Sequence, residues 1–334
     1  MTNKSIYSRT GIWRTGPPHR PLQDGAQPFP IQFVFPSGRQ LLSHIIKLTG
    51  LGRVHRVAFP EWSSHCVVSA IARYATPIPL TETLRHKAKV DAVLIYEQWG
   101  WPVPDSVLAE LKSCSEDRII ILDMVDSAHF KPVWADDHEK TGISYRFTSL
   151  SKILGLSGGG MGVAKGNYIS FIPDEGSEKL RVVLEKKKLQ EQDPAFIRNI
   201  MKDTIAALPR TVTAWIQKND LWGAIEEERR LRQRNLGEIM NSPLADSWPS
   251  WMGDALGRGA GPGIAPLLRG ADNNLLLKTK DTLRRTNRLE TEIYHFNWSG
   301  NPLNPVYEKC LAIPVHGMVT DMESILKDIR KKCF

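Results

Sequence analysis

Residues 145–162 read Tyr-Arg-Phe-Thr-Ser-Leu-Ser-Lys-Ile-Leu-Gly-Leu-Ser-Gly-Gly-Gly-Met-Gly, which places Lys152 between hydroxyl-bearing residues and a glycine-dense turn. A lysine that forms a Schiff base needs a partly dehydrated pocket that lowers its pKa. Hydroxyl groups such as those of Ser149 and Ser151 can hold a phosphate, and glycines let the backbone approach a bound group. The stretch fits Schiff-base chemistry, but a surface lysine before a flexible loop fits it equally well.

The glycines of this stretch fit a dinucleotide-binding turn less well. Those at positions 158, 159, 160 and 162 miss the third position of G-x-G-x-x-G, and no helical pattern follows them. A dinucleotide site is therefore the poorer interpretation.

An apolar run that ends in an acid precedes the lysine. Ile119 to Val125 has the composition of a buried strand, and Asp126 follows it, 26 residues before Lys152. An aspartate at the carboxyl end of a sheet strand can pair with a protonated pyridine nitrogen and keep that ring an electron sink. Asp126 is predicted for this role, with Asp123 as a rival, because strand-end aspartates also cap helices. Together the acid and the lysine predict a pyridoxal 5'-phosphate (PLP) site.

Short apolar runs alternate with helical patterns through the first half of the chain, and this alternation is typical of a parallel α/β sheet. The patterns predict helices over 38–51, 66–74 and 105–114 and strands over 56–60, 92–96 and 119–125.

The second half is predicted to be mainly helical over 178–240. A Gly/Pro-rich stretch over 253–270 is typical of a flexible loop or linker. The rest contains strand-like pieces and an amphipathic helix over 321–332. We therefore expect an N-terminal arm over 1–29, a large PLP-binding domain over 30–240 and a small C-terminal α/β domain over 241–334.

The composition is that of an ordinary globular protein, since 41% of the 334 residues are hydrophobic and 24% are charged. No apolar run is long enough to cross a bilayer, and the N-terminal arm lacks the apolar core of a secretory signal, so a cytoplasmic location is expected. The four cysteines lie far apart and predict reduced thiols, with no metal site. The net charge of +8 favours an anionic partner. Nucleic-acid binding is not favoured, because the charges are scattered; in the densest runs, such as 226–234, acids and bases mix as on an exposed helix.

Six segments form an ordered set of motifs along most of the chain. They are Phe35-Pro-Ser-Gly-Arg-Gln-Leu-Leu, Val57-Ala-Phe-Pro-Glu-Trp-Ser-Ser-His, Asp126-Ser-Ala-His129, Ser149-Leu-Ser-Lys152, Met201-Lys-Asp-Thr-Ile-Ala-Ala-Leu208 and Cys310-Leu-Ala-Ile-Pro-Val-His316. Together they resemble the DegT/DnrJ/StrS family of PLP-dependent aminotransferases, which act largely on nucleotide-linked keto sugars, and the resemblance is specific through the order and spacing of the motifs.

The resemblance implies the PLP-dependent fold type I and assigns roles to residues. It places Asp126 at the pyridine nitrogen, His129 beside the ring hydroxyl and Lys152 as the Schiff-base lysine. It assigns the phosphate to the turn formed by Ser37, Gly38 and Arg39, and it implies a homodimer with active sites at the subunit boundary.

The chain also departs from the family pattern. The position that usually holds a ring-stacking aromatic is Ser64, so Trp62 or His65 is expected to stack on the cofactor. Phe147 replaces a serine of the lysine loop, which moves the phosphate to the remaining serines and to the Ser37 turn at a helix N-terminus. Arg198 lies where the family has N-x-R-M and is a candidate phosphate or substrate ligand.

Further candidate substrate residues stand outside these motifs. Trp99 and Trp101 follow a predicted strand, where they would wall a ligand site or pack as a loop tip. His295 and His316 lie in the predicted small domain, and either could face the cleft, although a packed or surface histidine is the simpler interpretation.

These patterns predict a PLP-dependent aminotransferase that moves an amino group from a small donor, with glutamate the first to test, to a keto group of a nucleotide-activated sugar. One alternative is a PLP-dependent decarboxylase, lyase or replacement enzyme acting on an amino-acid group attached to a nucleotide or DNA. A second is a non-catalytic regulatory protein of the same fold, against which the presence of Lys152 argues.

Overall fold

The computed structural model describes residues 29–86, 88–113, 118–129, 142–164, 167–170 and 208–333. Its main element is a seven-stranded sheet with the order β2-β1-β3-β4-β5-β6-β7. The pairs from β2 through to β5 are parallel, whereas β5, β6 and β7 pair antiparallel. The strands are β1 (Arg56–Phe59), β2 (Thr76–Pro79), β3 (Ala92–Tyr96), β4 (Ile119–Asp123), β5 (Tyr145–Ser149), β6 (Gly160–Ala164) and β7 (Asn167–Tyr168).

Helices cover both faces of this sheet. Alternate residues of the central strands therefore pack into two different hydrophobic cores. In β3, Leu94 packs with residues of the first two helices, whereas Ile95 packs with helices later in the chain. The predicted fold, an α/β domain with a mainly parallel sheet, is thereby confirmed. The helices of this part are α1 (Gly38–Leu48), α2 (His65–Ala72), α3 (Leu80–His86), α4 (Asp105–Ser113), α5 (Leu150–Ile153), α6 (Arg210–Lys218) and α7 (Leu221–Met240).

A separate three-stranded antiparallel sheet, with the order β8-β10-β9, forms towards the C-terminus. Its core is a third cluster that also buries Trp99 and Trp101. The elements here are α8 (Ser250–Gly257), β8 (Ile264–Leu267), α9 (Asn273–Thr286), β9 (Glu292–Asn297), β10 (Tyr307–Pro314) and α10 (Met322–Cys333). In the described part of the chain, no helix is both long and apolar enough to span a membrane.

The prediction of a flexible linker over 253–270 is wrong. Helix α8 and strand β8 occupy much of this stretch, and Ile264, Ala265 and Leu267 are fully buried. Its glycines allow close packing: a Cβ on Gly261 would lie 2.9 Å from the Arg229 Cγ atom.

Other elements differ in their limits from the predicted ones. Helix α1 ends at Leu48, and the edge strand β2 and helix α3 were not predicted. The two prolines of Thr76-Pro-Ile-Pro79 explain the omission, since proline is tolerated mainly at sheet edges. Strand β4 ends at Asp123, so Asp126 lies in the turn beyond the strand.

Gln98 connects the two sheets. Its side-chain amide donates to the His295 carbonyl at 2.8 Å and accepts from the Asn297 N–H at 2.9 Å. The residue follows β3 of the large sheet, and both of its partners lie on β9, an edge strand of the small sheet. Gln98 therefore contributes to holding the small sheet against the carboxyl edge of the large one.

Candidate active site

The carboxyl ends of three neighbouring parallel strands bring an acid, an amine and a phenol together. Asp126 lies just beyond β4, Lys152 lies in α5 directly after β5, and Tyr96 ends β3. The Lys152 Nζ atom is 3.3 Å from Asp126 Oδ2, and the Tyr96 hydroxyl donates to the same oxygen at 2.5 Å. Asp126 is only 3% exposed, so two donors meet a buried carboxylate at the sheet edge where α/β proteins bind ligands.

The charge balance around Lys152 differs from the prediction of a lowered pKa. Burial lowers the pKa of the amine, but the carboxylates of Asp126 and Asp123 and the thiol of Cys66 outweigh that effect, so the pKa is raised. The sequence did not reveal how many negative groups the fold gathers there.

Asp123, the rival acid, lies deeper in the sheet. Burial is the main cause that raises its pKa to about 7, against the opposing effects of Lys152 and of the Val125 N–H, which donates to its carboxylate at 3.1 Å. Ion pairing with the lysine distinguishes Asp126 from this neighbour.

His129 is held by groups of the protein at both ring nitrogens. The Gly261 N–H donates to Nδ1 at 3.2 Å, so the ring proton belongs on Nε2, which lies 3.2 Å from Glu97 Oε2. Ser127 donates to the same Glu97 oxygen at 2.5 Å. His129 therefore sits beside Asp126 in a fixed orientation.

Two serines and a helix N-terminus meet on another side of this region. Ser37 is the N-cap of α1 and accepts from the Gln40 N–H at 3.2 Å, and Gly38 and Arg39 begin the helix. A Cβ on Gly38 would touch the Ser149 Cβ at 3.4 Å, and the Ser149 and Ser151 hydroxyls are 2.9 Å apart. The turn predicted for the phosphate and the serines of the lysine loop thus adjoin each other.

Gly160 allows the backbone of β6 to pack closely against the Ser37–Arg39 turn. Gly160 pairs with Phe35 through two backbone hydrogen bonds of 2.8 Å, and a Cβ on Gly160 would lie 2.7 Å from the Gly38 nitrogen. The hydroxyls, the positive end of the α1 dipole and this tight backbone suit a phosphate, and the Lys152–Asp126 pair suits a pyridine aldehyde. The residues present fit PLP.

The comparisons with known proteins agree with this fit. Residues 23–248 match a protein family described as "Putative PLP-dependent aminotransferase". This range is more than half of the chain. The chain belongs to this family of PLP-dependent aminotransferases. It is therefore an enzyme with PLP as its cofactor, although no curated protein has a sequence that matches it.

Solved structures share the fold at low sequence identity. A DegT/DnrJ/EryC1/StrS aminotransferase from Brucella abortus is 16% identical, with a TM-score of 0.55 over 90% of this chain and 85% of that one. The "putative sugar aminotransferase" Spr1654 from Streptococcus pneumoniae, in its PMP form, is 14% identical, with a TM-score of 0.53 over 90% and 86%. The aminotransferase TlmJ from Streptoalloteichus hindustanus is 16% identical, with a TM-score of 0.53 over 90% and 85%. The predicted fold type I is thus shared with known aminotransferases.

The residues considered for ring stacking lie after β1. Ser64 and His65 are exposed at the start of α2, and the Ser64 hydroxyl lies 2.8 Å from the Cys66 sulfur. Trp62 is 40% exposed and stacks on His295, with ring centroids 4.2 Å apart. The structure therefore brings Trp62 and His295 together at the junction of the two sheets.

The two tryptophans after β3 are buried. Trp99 stacks on Phe296 at 5.3 Å, and the Trp101 indole N–H donates to the Ile264 carbonyl at 2.8 Å. Both contacts are those of tryptophans packed in the protein interior. Trp101 also lines a small crevice of about 30 Å³ between the sheets, together with Trp62, Tyr96, Trp251, Phe296 and Tyr307.

The remaining candidates lie in the C-terminal part of the chain or outside the described residues. His316 is in the turn after β10, where burial lowers its pKa to about 4 against the raising effect of Glu228. Arg198, the N-terminal arm and residues 201–207 of the M-x-D-x-x-A-A-L segment lie outside the described residues.

Helix α7 contains residues that the sequence analysis missed. The mixed charges over 226–234 predict an exposed helix, but Glu228, Arg232 and Asn235 are each 1% exposed. The signal was their spacing: positions i, i+4 and i+7 share one face of a helix, and the apolar Leu236 and Ile239 also lie buried on it.

Proposed function

We propose that the chain moves an amino group from an amino donor to the keto group of a nucleotide-activated sugar, with Lys152 and Asp126 as the catalytic pair. The observation that carries the proposal is the contact of 3.3 Å between the amine and the buried carboxylate, at the carboxyl ends of adjacent parallel strands. This deepens the family assignment by naming the residues and the acceptor.

PLP, when bound, supplies an aldehyde that captures amines and a pyridinium ring that withdraws electrons. Lys152 would hold the cofactor covalently and, when an incoming amine releases it, carry a proton from the donor's Cα atom. Asp126 would hold a positive charge on the ring nitrogen. The hydrogen bond from the Tyr96 hydroxyl would orient this carboxylate.

Ser149, Ser151 and the Ser37–Arg39 turn would bind the phosphate. Glu97 would keep His129 beside the ring, since its Oε2 atom lies 3.2 Å from His129 Nε2 and is itself held by the Ser127 hydroxyl.

Three features support a nucleotide-activated sugar as the acceptor. The motifs resemble enzymes that act on such sugars, and the net charge of +8 favours an anionic substrate. Trp62, which is 40% exposed at the junction of the two sheets, offers an aromatic ring on which a nucleobase can stack. We further propose that the chain forms a homodimer, to be tested by light scattering of the PLP-loaded protein.

The experiment has two stages. Borohydride treatment of the PLP-loaded protein should add a phosphopyridoxyl mass to the peptide that contains Lys152, and Lys152→Ala should abolish that label. A donor panel led by glutamate, without an acceptor, should then convert the cofactor stoichiometrically to pyridoxamine phosphate. Return of the original absorbance after release of carbon dioxide or a leaving group from an amino-acid-bearing nucleotide would instead identify a decarboxylase or lyase.

A nucleotide-linked keto sugar added to the pyridoxamine form should restore the original absorbance and yield an amino sugar, identified by mass spectrometry. Simple keto acids serve as the control. If they restore the cofactor and a panel of nucleotide-linked keto sugars does not, the proposed acceptor is wrong.

A further inference from the structure

Arg232 contacts the backbone on both sides of the candidate catalytic pair. Its guanidinium donates to the carbonyls of Asp126 at 2.7 Å, Gly261 at 3.1 Å, Lys152 at 3.3 Å and Ile153 at 3.4 Å. The side chain is 1% exposed, so these carbonyls share one desolvated cation. A planar guanidinium can reach several acceptors at once, whereas an ammonium group is a point charge on a flexible stem.

Arg232 provides hydrogen-bond donors for carbonyls at the C-terminal end of α5. This helix contains only Leu150–Ile153, and the last carbonyls of any helix lack partners within it. Lys152 and Ile153 supply two of those carbonyls, and a cation at a helix C-terminus is favourable. Without Arg232, the backbone that carries the candidate catalytic amine would lose these contacts.

Glu228 connects this cation to the C-terminal part of the chain. Its carboxylate accepts from Arg232 Nε at 2.8 Å and from the Gly317 N–H at 3.2 and 3.3 Å. A Cβ on Gly317 would lie 2.6 Å from Leu231 Cδ1 and 2.9 Å from Glu228 Oε2, so the turn after β10 packs directly on the pair. A buried ion pair is costly unless its remaining hydrogen-bonding atoms are satisfied. Here those atoms bond to four segments, at Asp126, Gly261, Lys152–Ile153 and Gly317.

We propose that Arg232, oriented by Glu228, is a positioning residue that fixes Lys152 relative to Asp126. The inference rests on the proposed roles of Lys152 and Asp126. Arg232 touches neither reacting atom; it holds the two main-chain segments from which the amine and the acid project. A displacement of about 1 Å at such a site costs up to roughly 100-fold in rate.

The test compares Arg232→Lys and Glu228→Gln with Asn235→Leu in the PLP-loaded protein. Asn235 is the matched control because it is equally buried on α7 and donates to the carbonyls of Val315 and Val319, but to neither catalytic segment. Melting temperature, visible circular dichroism of the bound cofactor, and kcat and KM for the donor are measured for each protein.

Arg232→Lys keeps the charge but loses the fork, so we expect a changed visible dichroism and a kcat lowered by about tenfold or more, with a much smaller change in KM. Glu228→Gln should show the same pattern more weakly, and it carries the test if Arg232→Lys does not fold. Asn235→Leu should lower the melting temperature and leave the dichroism and kcat near wild type.

Equal effects of the Arg232 and Asn235 substitutions on kcat and dichroism would show a general structural role and overturn the inference. So would unchanged values in both Arg232→Lys and Glu228→Gln. Failure of the proposed site looks different: the wild-type protein itself would then show no borohydride label on Lys152.

Discussion

The Lys152 amine and the Tyr96 hydroxyl meet at the same oxygen of Asp126, at 3.3 and 2.5 Å. These side chains come from the ends of three neighbouring strands, so the arrangement depends on the order of the sheet. It also makes Asp126 the acid whose removal should matter most.

Asp126→Asn should leave PLP attached to Lys152 but slow the donor half-reaction by roughly 100-fold or more, because a neutral amide cannot keep the pyridine nitrogen charged. Stopped-flow absorbance under single-turnover conditions measures this rate. Asp123→Asn is the control, since Asp123 makes no hydrogen bond to the lysine, and its effect should be much smaller. A larger effect at Asp123 would reverse the assignment of the two acids.

Tyr96→Phe removes one of the two donors to the Asp126 oxygen while keeping the ring that lines the crevice. Hydrogen bonds to charged groups contribute enough for a rate loss of about tenfold, and the KM for the donor should change little. Steady-state kinetics measure both quantities. Tyr168→Phe on β7 is the control and should behave like wild type; equal activity of the two variants would contradict the role of the shared oxygen.

Asp123 should make stability depend on pH. Because its pKa is about 7 in the fold and 3.8 otherwise, the folded chain retains a proton that the unfolded chain has lost between these values. The stabilisation is therefore complete below about pH 4 and is lost as the pH rises to 7, by on the order of 4 kcal/mol at most.

Urea unfolding of the cofactor-free protein from pH 4 to pH 8 measures this dependence. Asp123→Asn lacks the titrating group, so the free energy of unfolding of the variant should rise relative to wild type across that interval. Parallel pH profiles for the two proteins would show that the Asp123 carboxyl titrates normally in the fold.

Gly160→Ala should weaken PLP binding, because the added methyl group would lie 2.7 Å from the Gly38 nitrogen and displace the turn that begins α1. We expect the Kd for PLP, from titration of cofactor absorbance, to rise by about tenfold or more. Gly237→Ala is the matched control: its added Cβ meets nothing within 4 Å, and alanine within a helix should stabilise the protein by about 0.5–1 kcal/mol. An unchanged Kd in Gly160→Ala would exclude this turn from the phosphate site.

Strong local patterns made the centre of the fold predictable. The apolar run at 92–96 is β3 with the predicted limits, since strands buried on both faces read as continuous hydrophobic segments. Asp126 and Lys152 were predicted to share a site from their chemistry, whereas strand β5, whose parallel pairing with β4 brings them together, was not predicted.

Long-range pairing was not predictable in the same way. Arg232 lies 80 residues from Lys152 and 106 from Asp126 along the chain, and no local pattern records those hydrogen bonds. The Gly/Pro-rich stretch over 253–270 has the composition of a loop, yet its glycines serve close packing against α7. A high glycine content indicates that the backbone can adopt many conformations. Only the folded structure shows which element packs closely against those glycines.

The bridge made by Gln98 has a consequence for association between molecules. An exposed edge strand offers unpaired N–H and C=O groups to other chains, and on β9 the carbonyl of His295 and the N–H of Asn297 are occupied by this amide. Any motion that swings the small sheet away from the large one must uncover that edge. Separation of the two sheets would therefore expose backbone groups with which another chain could pair, and Gln98 is one of the side chains that keep them covered.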